Sequence, residues 1–567
     1  MINFEGYTIT YAGRHEPALD DVWLQVGEGR LALTIGTTGA GKSTLLKSVN
    51  GLVPHFSGGS VTGRVVVDGR STADYRPRDL ADVVGYVGQD PDSSFVADVV
   101  EDELAYVMEN LGVEPQAMRR RVEDVLDMLS LHPLRQRTIA SLSGGQRQRV
   151  AIGAVLTAAQ RALVLDEPTS SLDPVSAEEV LSVLSRLVHD LGVTVLAAEH
   201  RLERMVHAAD EVVTVDGGNR SVRSARPAAA LTDSPVAPPI VRLGRLLGWE
   251  PLPLSVRDAR ARAAGLRTEL LATGWEPAND LHNTAVPGET LARARRLSAR
   301  YGEIAALSGL ELDIRRGEVL AVMGRNGSGK STLLRHLAGL RRPAGGEVLV
   351  DGRAMADLRS REAIRLAGLV PQEVASLLDA ETVQQECAAG DRDAALSPGT
   401  TRARLESLLP QVDGDAHPRD LSEGERLALA LAVVLAPAPP LVLLDEPTRG
   451  LDYAAKGRLV SSLRELAAAG HGVVVATHDV ELVAEMADRV VVLADGELIT
   501  DGPVRSVLCG SGSHGLAPQA ARIFAPIPVL TVEELESGLS FVTANSGALQ
   551  GIEVEPSVGE PSARRVD

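Results

Sequence analysis

Two segments of this 567-residue chain have the residue types and spacing to hold phosphate. Gly36-Thr37-Thr38-Gly39-Ala40-Gly41-Lys42-Ser43-Thr44 and Gly324-Arg325-Asn326-Gly327-Ser328-Gly329-Lys330-Ser331-Thr332 share one pattern of glycines, lysine and hydroxyls. Such a loop lets consecutive backbone N–H groups converge on phosphate oxygens, where the N-terminus of a following helix also favours anions. Only four of the 57 basic residues are lysine, namely Lys42, Lys47, Lys330 and Lys456, and two of these close the loops. A compact ammonium can sit as a point charge between phosphate oxygens, where a planar guanidinium is bulkier. Lys42 and Lys330 are therefore expected on the β- and γ-phosphates of a nucleotide, and Ser43 and Ser331 on a Mg²⁺ ion.

Further polar residues recur at matching places downstream of each loop. Asp166-Glu167 and Asp445-Glu446 each end an apolar strand, where an unpaired carboxylate would be costly. A Mg²⁺ site explains Asp166 and Asp445, and the adjacent Glu167 and Glu446 are suited to orient or deprotonate an attacking water. His200 and His478 end later strands and could hydrogen-bond the γ-phosphate. Aromatic residues make up only 3% of the chain, so Tyr11 and Tyr301, each ahead of a loop, stand out as adenine-stacking candidates.

The elements that must position these groups also repeat. An apolar strand leads into each loop (Leu31 to Ile35, Val319 to Met323), and a helix should follow each through Leu45-Leu46 and Leu333-Leu334. Then come a strand with a tight turn at Asp68-Gly69 or Asp351-Gly352, a strand ending at Gln89 or Gln372, and a polar motif opening an apolar helix. That motif is Leu142-Ser143-Gly144-Gly145-Gln146 in the first copy and Leu421-Ser422-Glu423-Gly424-Glu425 in the second. The chain is a duplication, and alternating strands and helices make each copy an α/β unit with a largely parallel sheet. The expected boundaries are 1–228 and 291–505 for the repeats and 229–290 for a Pro/Arg-rich connector. A C-terminal extension follows at 506–567, its last twenty or so residues disordered.

Composition narrows the partners. A net charge of −19 disfavours nucleic acid, which wants a basic face. Two cysteines, Cys387 and Cys509, lack metal or pairing spacing and fit a reducing compartment. The uncharged run from Leu427 to Leu444 is long enough to cross a membrane, but Pro437, Pro439 and Pro440 interrupt it. It reads as the end of a buried helix, a turn and a buried strand, so no transmembrane segment is expected.

With both loops, both Asp-Glu pairs, both histidines and Leu142-Ser143-Gly144-Gly145-Gln146 in hand, the chain resembles an ATP-binding-cassette (ABC) ATPase with two cassettes fused. The resemblance implies two P-loop cassettes, each a RecA-like α/β core with a helical and an antiparallel β subdomain, using ATP and Mg²⁺. It implies head-to-tail closure over two ATPs. Lys42, Gln89, Asp166, Glu167 and His200 would then form one site completed by Ser422 and Gly424. Lys330, Gln372, Asp445, Glu446 and His478 would form the other, completed by Ser143, Gly145 and Gln146, with Gly144 beside them. Gln89 and Gln372 would serve the metal and the water. Ser171-Leu172-Asp173 and Gly450-Leu451-Asp452 look like the family's D-loops.

Gln89-Asp90-Pro91-Asp92-Ser93-Ser94-Phe95, Val100-Glu101-Asp102-Glu103 and Glu446-Pro447-Thr448-Arg449-Gly450-Leu451-Asp452-Tyr453 are similar to energy-coupling-factor (ECF) importer ATPases. That similarity implies a peripheral protein on the cytoplasmic face of the cell membrane. Its partners would be a transmembrane coupling subunit and a substrate-binding membrane subunit for a vitamin, a vitamin precursor or a transition-metal ion. A fused sugar or peptide importer ATPase and a soluble ribosome-associated twin-cassette ATPase are the alternatives. Glu101, Asp102 and Glu103 either meet arginines of the membrane subunit or enrich a helix N-terminus. The copies also differ at Glu423 and Glu425, where the first has Gly144 and Gln146. A carboxylate near a triphosphate costs on the order of 1–4 kcal/mol, which predicts a weaker Lys42 site unless Glu423 points to solvent.

Overall fold

Strands that are apolar on both faces must be covered on both faces. Leu31–Ile35, Ala162–Asp166 and Thr194–Ala198 are buried at every residue, as are Val319–Met323, Leu441–Asp445 and Gly472–Ala476. The computed structural model describes residues 1–170, 172–278, 288–302, 304–409, 412–510 and 516–546, and it places these strands at the centre of two six-stranded sheets.

In the first repeat the order is Val222–Ala225, Glu211–Val215, Leu31–Ile35, Thr194–Ala198, Ala162–Asp166, Val84–Val87. In the second it is Ala367–Val370, Leu441–Asp445, Gly472–Ala476, Val319–Met323, Arg489–Ala494, Glu497–Pro503, the same succession written from the other edge. Both central strands pair in parallel on each side, with Leu31 opposite Val195 and Val319 opposite Val473. The expected α/β class with two cassette-like repeats is the observed one.

Each repeat adds a four-stranded antiparallel sheet, built on Ile2–Thr10 in the first and Thr290–Tyr301 in the second. Each also carries a helical layer: Val100–Asn110, Pro115–Met128 and Gly144–Leu156, against Val383–Ala394, Thr400–Leu408 and Glu423–Leu435. The apolar run at 427–444 resolves as foreseen into the helix Glu423–Leu435, a proline turn and the strand Leu441–Asp445. No helix among the described residues is long and apolar enough to cross a membrane.

The Pro/Arg-rich segment between the repeats is folded and packed. Its helices Pro239–Leu246, Val256–Arg262 and Ala264–Ala272 bury Ile240, Val241, Leu243 and Leu270. They pack with the helices Gln519–Phe524 and Val532–Ser546 from beyond the second repeat, which contribute Ile523, Phe524, Leu535 and Val542 to the same core. The arginine richness has a matching cause. Arg260 and Arg267 donate to the carbonyls of Arg522 and Ile523 at 2.7 and 3.1 Å, at the C-terminal end of Gln519–Phe524 where free carbonyls favour cations. Arg242 pairs with Glu533 at 2.8 Å, and Arg505 pairs with Glu534 and donates to the Ala278 carbonyl at 2.8 Å. Connector and extension thus form one helical unit closing the chain on itself. The last twenty residues lie outside the described residues.

Phe524 is fully buried in that unit. Phe524→Ala should destabilise it by about 3–5 kcal/mol. Two of the chain's three tryptophans, Trp249 and Trp275, pack against the same core and report on it. Urea unfolding followed by their fluorescence should show an earlier transition, and an unchanged midpoint would show that the unit is not cooperatively packed.

Candidate functional site

Each phosphate loop joins a central strand to a helix, Lys42–Val49 or Lys330–Leu337, and the glycines are there for shape. Gly41 (φ 109°) and Gly329 (φ 105°) begin these helices in left-handed backbone, as do Gly39 (φ 79°) and Gly327 (φ 83°) within the loops. A Cβ at Gly36 would fall 2.4 Å from the Val215 carbonyl oxygen, and one at Gly324 2.4 Å from that of Leu493, so the strand beside each loop excludes any side chain. Lys42 donates Nζ–H to the carbonyls of Gly36 and Thr37 at 2.9 and 3.0 Å. Lys330 does the same to Gly324 and Arg325 at 2.7 and 3.1 Å. Both ammonium groups are buried across the mouth of their own loop. Burial lowers the Lys42 pKa, opposed by the charges of Glu167, Asp452 and Asp166.

Asp166 and Asp445 end the neighbouring strands and face the loop serines. Burial raises both carboxyls, and hydrogen bonds to Ser43 and Ser331 oppose the shift. Asp445 Oδ1 is buried with no hydrogen-bond partner. A buried carboxylate oxygen beside a serine hydroxyl is the donor set a hard divalent cation takes, so Ser43 with Asp166 and Ser331 with Asp445 fit Mg²⁺. Once bound, it would neutralise developing charge on the phosphate oxygens.

The next residue in each copy adopts a backbone that costs a side-chain-bearing residue energy. Glu167 (φ 55°) and Glu446 (φ 49°) are both left-handed, at a cost of order 1–3 kcal/mol each. Hydrogen bonds from their N–H groups to the Ala198 and Ala476 carbonyls, at 2.9 and 2.8 Å, hold them there. His200 Nε2 lies 3.0 Å from Glu167 Oε1, and His478 Nδ1 lies 2.8 Å from Glu446 Oε2. Burial pushes the Glu167 carboxyl up, but His200, Lys42 and Arg449 outweigh it and leave the group below its ordinary range. Glu446 shows the same outcome, with His478, Lys330 and Arg201 as the opposing charges. Both shifts favour the carboxylate, the form able to accept a proton. Each histidine thus faces its glutamate as an orienting group. Gln89 donates Nε2–H to Glu167 Oε2 at 3.1 Å.

The two repeats meet head to tail. A cavity of about 680 Å³ is bordered by Gly327, Gly329, Lys330, Ser331, Thr332, Gln372, Glu446 and Tyr301 of the second repeat. Ser143, Gly144, Gln89 and Glu167 of the first repeat border it from the other side. Gly145 and Gln146 do not line it. A Cβ on Gly145 would strike Ser176 at 2.6 Å, so that glycine serves packing, and Gln146 caps the helix Gly144–Leu156 by accepting from Ser143 N at 3.0 Å. Tyr301 borders the cavity with the Arg341 guanidinium 4.6 Å from its ring centroid. The Tyr11 hydroxyl shares a 3.0 Å hydrogen bond with Thr44.

Contacts that motif spacing did not foretell complete the junction. Thr38 N, in the first phosphate loop, donates to Asp452 Oδ2 of the second repeat at 2.7 Å. Arg201, which follows His200, lies 3.5 Å from Asp479, which follows His478. Asp479 in turn accepts from Lys456 at 2.8 Å, and Tyr453 donates to Glu203 at 2.5 Å. Only the adjacency of these residues to a repeated motif marks them in the sequence.

The altered second signature is more conservative than its charges suggested. Glu425 closes the same capping box as Gln146, accepting from Ser422 N at 2.8 Å while Ser422 Oγ accepts from Glu425 N at 3.3 Å. Glu423 packs over Gly450 and pairs with Arg426 at 2.7 Å. Gly424 lies against Leu451 and Ala455. Two of the three acids at 101–103 are likewise engaged internally. Glu101 binds Arg135 and Gln136, and Glu103 accepts from Val96 N and Ala97 N at 2.9 and 2.7 Å. Glu386 repeats the last role by accepting from Ala380 N at 2.8 Å, which leaves Asp102 as the exposed acid of the three.

A family model described as ABC transporter matches residues 19–170 and 307–449. A Streptomyces avermitilis protein named as an ABC transporter ATP-binding protein is 55% identical over 95% of this chain and 100% of its own length. One from Methanosarcina mazei, similarly named, is 34% identical over 95% and 97%. Among solved structures, the model of ribosome-bound archaeal Pelota and ABCE1 matches at TM-score 0.59 and 23% identity, over 88% of this chain and 79% of that one. The RNase-L Inhibitor matches at TM-score 0.54 and 23% identity, over 88% and 91%. At that identity the likeness is one of fold.

Glu425→Gln should keep the capping box and leave thermal stability and ATP affinity unchanged. Glu425→Ala should cost about 0.3–1.5 kcal/mol through the lost cap. Calorimetry on both variants checks this, and a large affinity change for the glutamine variant would place Glu425 on the nucleotide instead.

Proposed function

Because the chain belongs to the ABC transporter family, whose cassettes hydrolyse ATP, we propose that it is the ATPase of a membrane importer of ECF type. The observation that carries most weight is the cavity joining Lys330, Ser331 and Glu446 of one repeat to Ser143 and Gly144 of the other, since neither repeat alone supplies both walls. The segments at 89–95, 100–103 and 446–453 support the ECF type through their similarity to that group. On this reading residues 1–228 and 291–505 are the two cassettes. The protein lies peripherally on the cytoplasmic face of the cell membrane and drives a transmembrane coupling subunit. A separate membrane subunit binds the cargo, a vitamin, a vitamin precursor or a transition-metal ion.

In the reaction, Lys42 and Lys330 bind the β- and γ-phosphates, with Mg²⁺ held at Ser43–Asp166 and Ser331–Asp445, assisted by Gln89 and Gln372. Glu167 and Glu446 take the proton of the attacking water, while His200 and His478 hold those carboxylates and contact the γ-phosphate. Tyr11 and Tyr301 support the adenine ring. The difference left between the sites is Glu423, at the position where Gly144 borders the Lys330 cavity, and on this reading it makes the Lys42 site the weaker one.

Purified from membranes of its source, the chain should bring down a polytopic membrane protein. Co-sedimentation with ribosomes and no membrane partner would overturn the importer reading.

Glu167→Gln and Glu446→Gln should each trap ATP and slow their own site about 10²-fold or more. Single-turnover hydrolysis should be faster in Glu167→Gln, where only the Lys330 site works, than in Glu446→Gln. Equal rates would refute the asymmetry, and unimpaired hydrolysis in the double variant would remove both residues from the base role.

A further inference from the structure

The residue after each strand-ending histidine is arginine in the first repeat, Arg201, and aspartate in the second, Asp479. These equivalent positions meet each other across the junction. Arg201 lies 3.5 Å from Asp479 Oδ2, and both side chains are buried. A residue can meet its own equivalent only near the twofold axis that relates two like surfaces. The charge is therefore reversed at a place where two copies of one repeat would set like groups together. The surroundings differ with it. Arg201 also donates to Thr448 Oγ1 of the second repeat at 3.4 Å. Asp479 is held by Lys456 at 2.8 Å, at a position where the first repeat has Ala177. Tyr453 donates to Glu203 across the junction at 2.5 Å, and the first repeat has in its place Pro174, which has no hydroxyl to offer.

We infer that Arg201 and Asp479 select the partner of each repeat: the first repeat accepts the second and rejects a first repeat from another copy of this chain. In a pairing of two first repeats, Arg201 would face Arg201 with no aspartate to answer either, and Glu203 would face Pro174. A guanidinium cannot shed its charge, and like charges set together at a desolvated interface repel strongly. In a pairing of two second repeats, each Asp479 would keep its Lys456 but lose the guanidinium opposite. The rejection is thus strongest for the first repeat, which is the one that needs it. That repeat is synthesised first, and misassembly between like domains is a characteristic failure of repeat proteins. Once the second repeat exists, the covalent path raises its effective concentration and the opposite charges draw it in. The selection also fixes what each site contains. Two paired first repeats would set Ser143 and Gly144 opposite Lys42, whereas the observed pairing sets them opposite Lys330. It depends on the pairing face alone, not on the membrane partner or its cargo.

Two charge reversals in the full-length chain test this. Arg201→Asp makes both faces acidic, and Asp479→Arg makes both basic. Each variant alone should close poorly, hydrolyse ATP about tenfold more slowly or worse, and sediment as a monomer, because no two of its faces carry opposite charges. Mixed one to one, the variants should form a two-chain species and regain part of the hydrolysis. Asp479 of one chain and Arg201 of the other are then both native and opposite. A single variant that hydrolyses ATP at the wild-type rate, or that dimerises alone as readily as in the mixture, overturns the selection. A mixture that stays monomeric does the same. Circular dichroism shows whether each variant is folded. Arg201→Gln provides a second reading that adds no charge, since it removes the repulsion between first repeats. At high protein concentration it should give a larger dimer fraction than the wild-type chain, and a fraction no larger overturns the rejection.

Discussion

The cavity at Lys330 takes one wall from each repeat, and that constraint organises the molecule. The Lys330 loop offers backbone N–H groups and one lysine on a single side, and its far wall comes from Ser143 and Gly144 of the other copy. The hydrogen bond from Thr38 N to Asp452, across 414 positions of sequence, shows how closely the halves must register. Arg201 with Asp479, both buried, and Tyr453 with Glu203, partly buried, extend the same junction, and loss of Asp479 would leave a costly buried charge.

The helical unit built from the connector and the C-terminal segment follows from that demand. Two cassettes that must meet face to face need a covalent path that does not hold them apart. The path here is folded: Arg242, Arg260, Arg267 and Arg505 tie it to acids and carbonyls of the chain's far end. Arg242 also reaches Glu485 of the second repeat at 3.2 Å, so the unit is joined to the junction it spans.

Symmetry of the motifs hides asymmetry of their surroundings. Gln146 and Glu425 cap their helices identically although one is charged. Ser170 and Arg449 occupy the same turn yet face different ways. A substitution inside a motif can be structurally silent, while one beside it can face the other repeat.

The sequence alone determined the duplication, the strand–loop–helix order and the polar residues at the strand ends, because these are local. Apolar runs, left-handed glycines and a lysine at a fixed offset constrain only their immediate neighbours. Burial then accounts for Asp166, Glu167, Asp445 and Glu446 with no knowledge of the far half. What only the tertiary structure decided is where charges go when distant segments meet. Glu423 goes to Arg426, Glu101 to Arg135, the connector's arginines to the C-terminal helices, and Arg449 to the cavity shared with Glu167. A long charged side chain can reach several partners, and which one it meets depends on three-dimensional proximity that spacing along a chain does not encode.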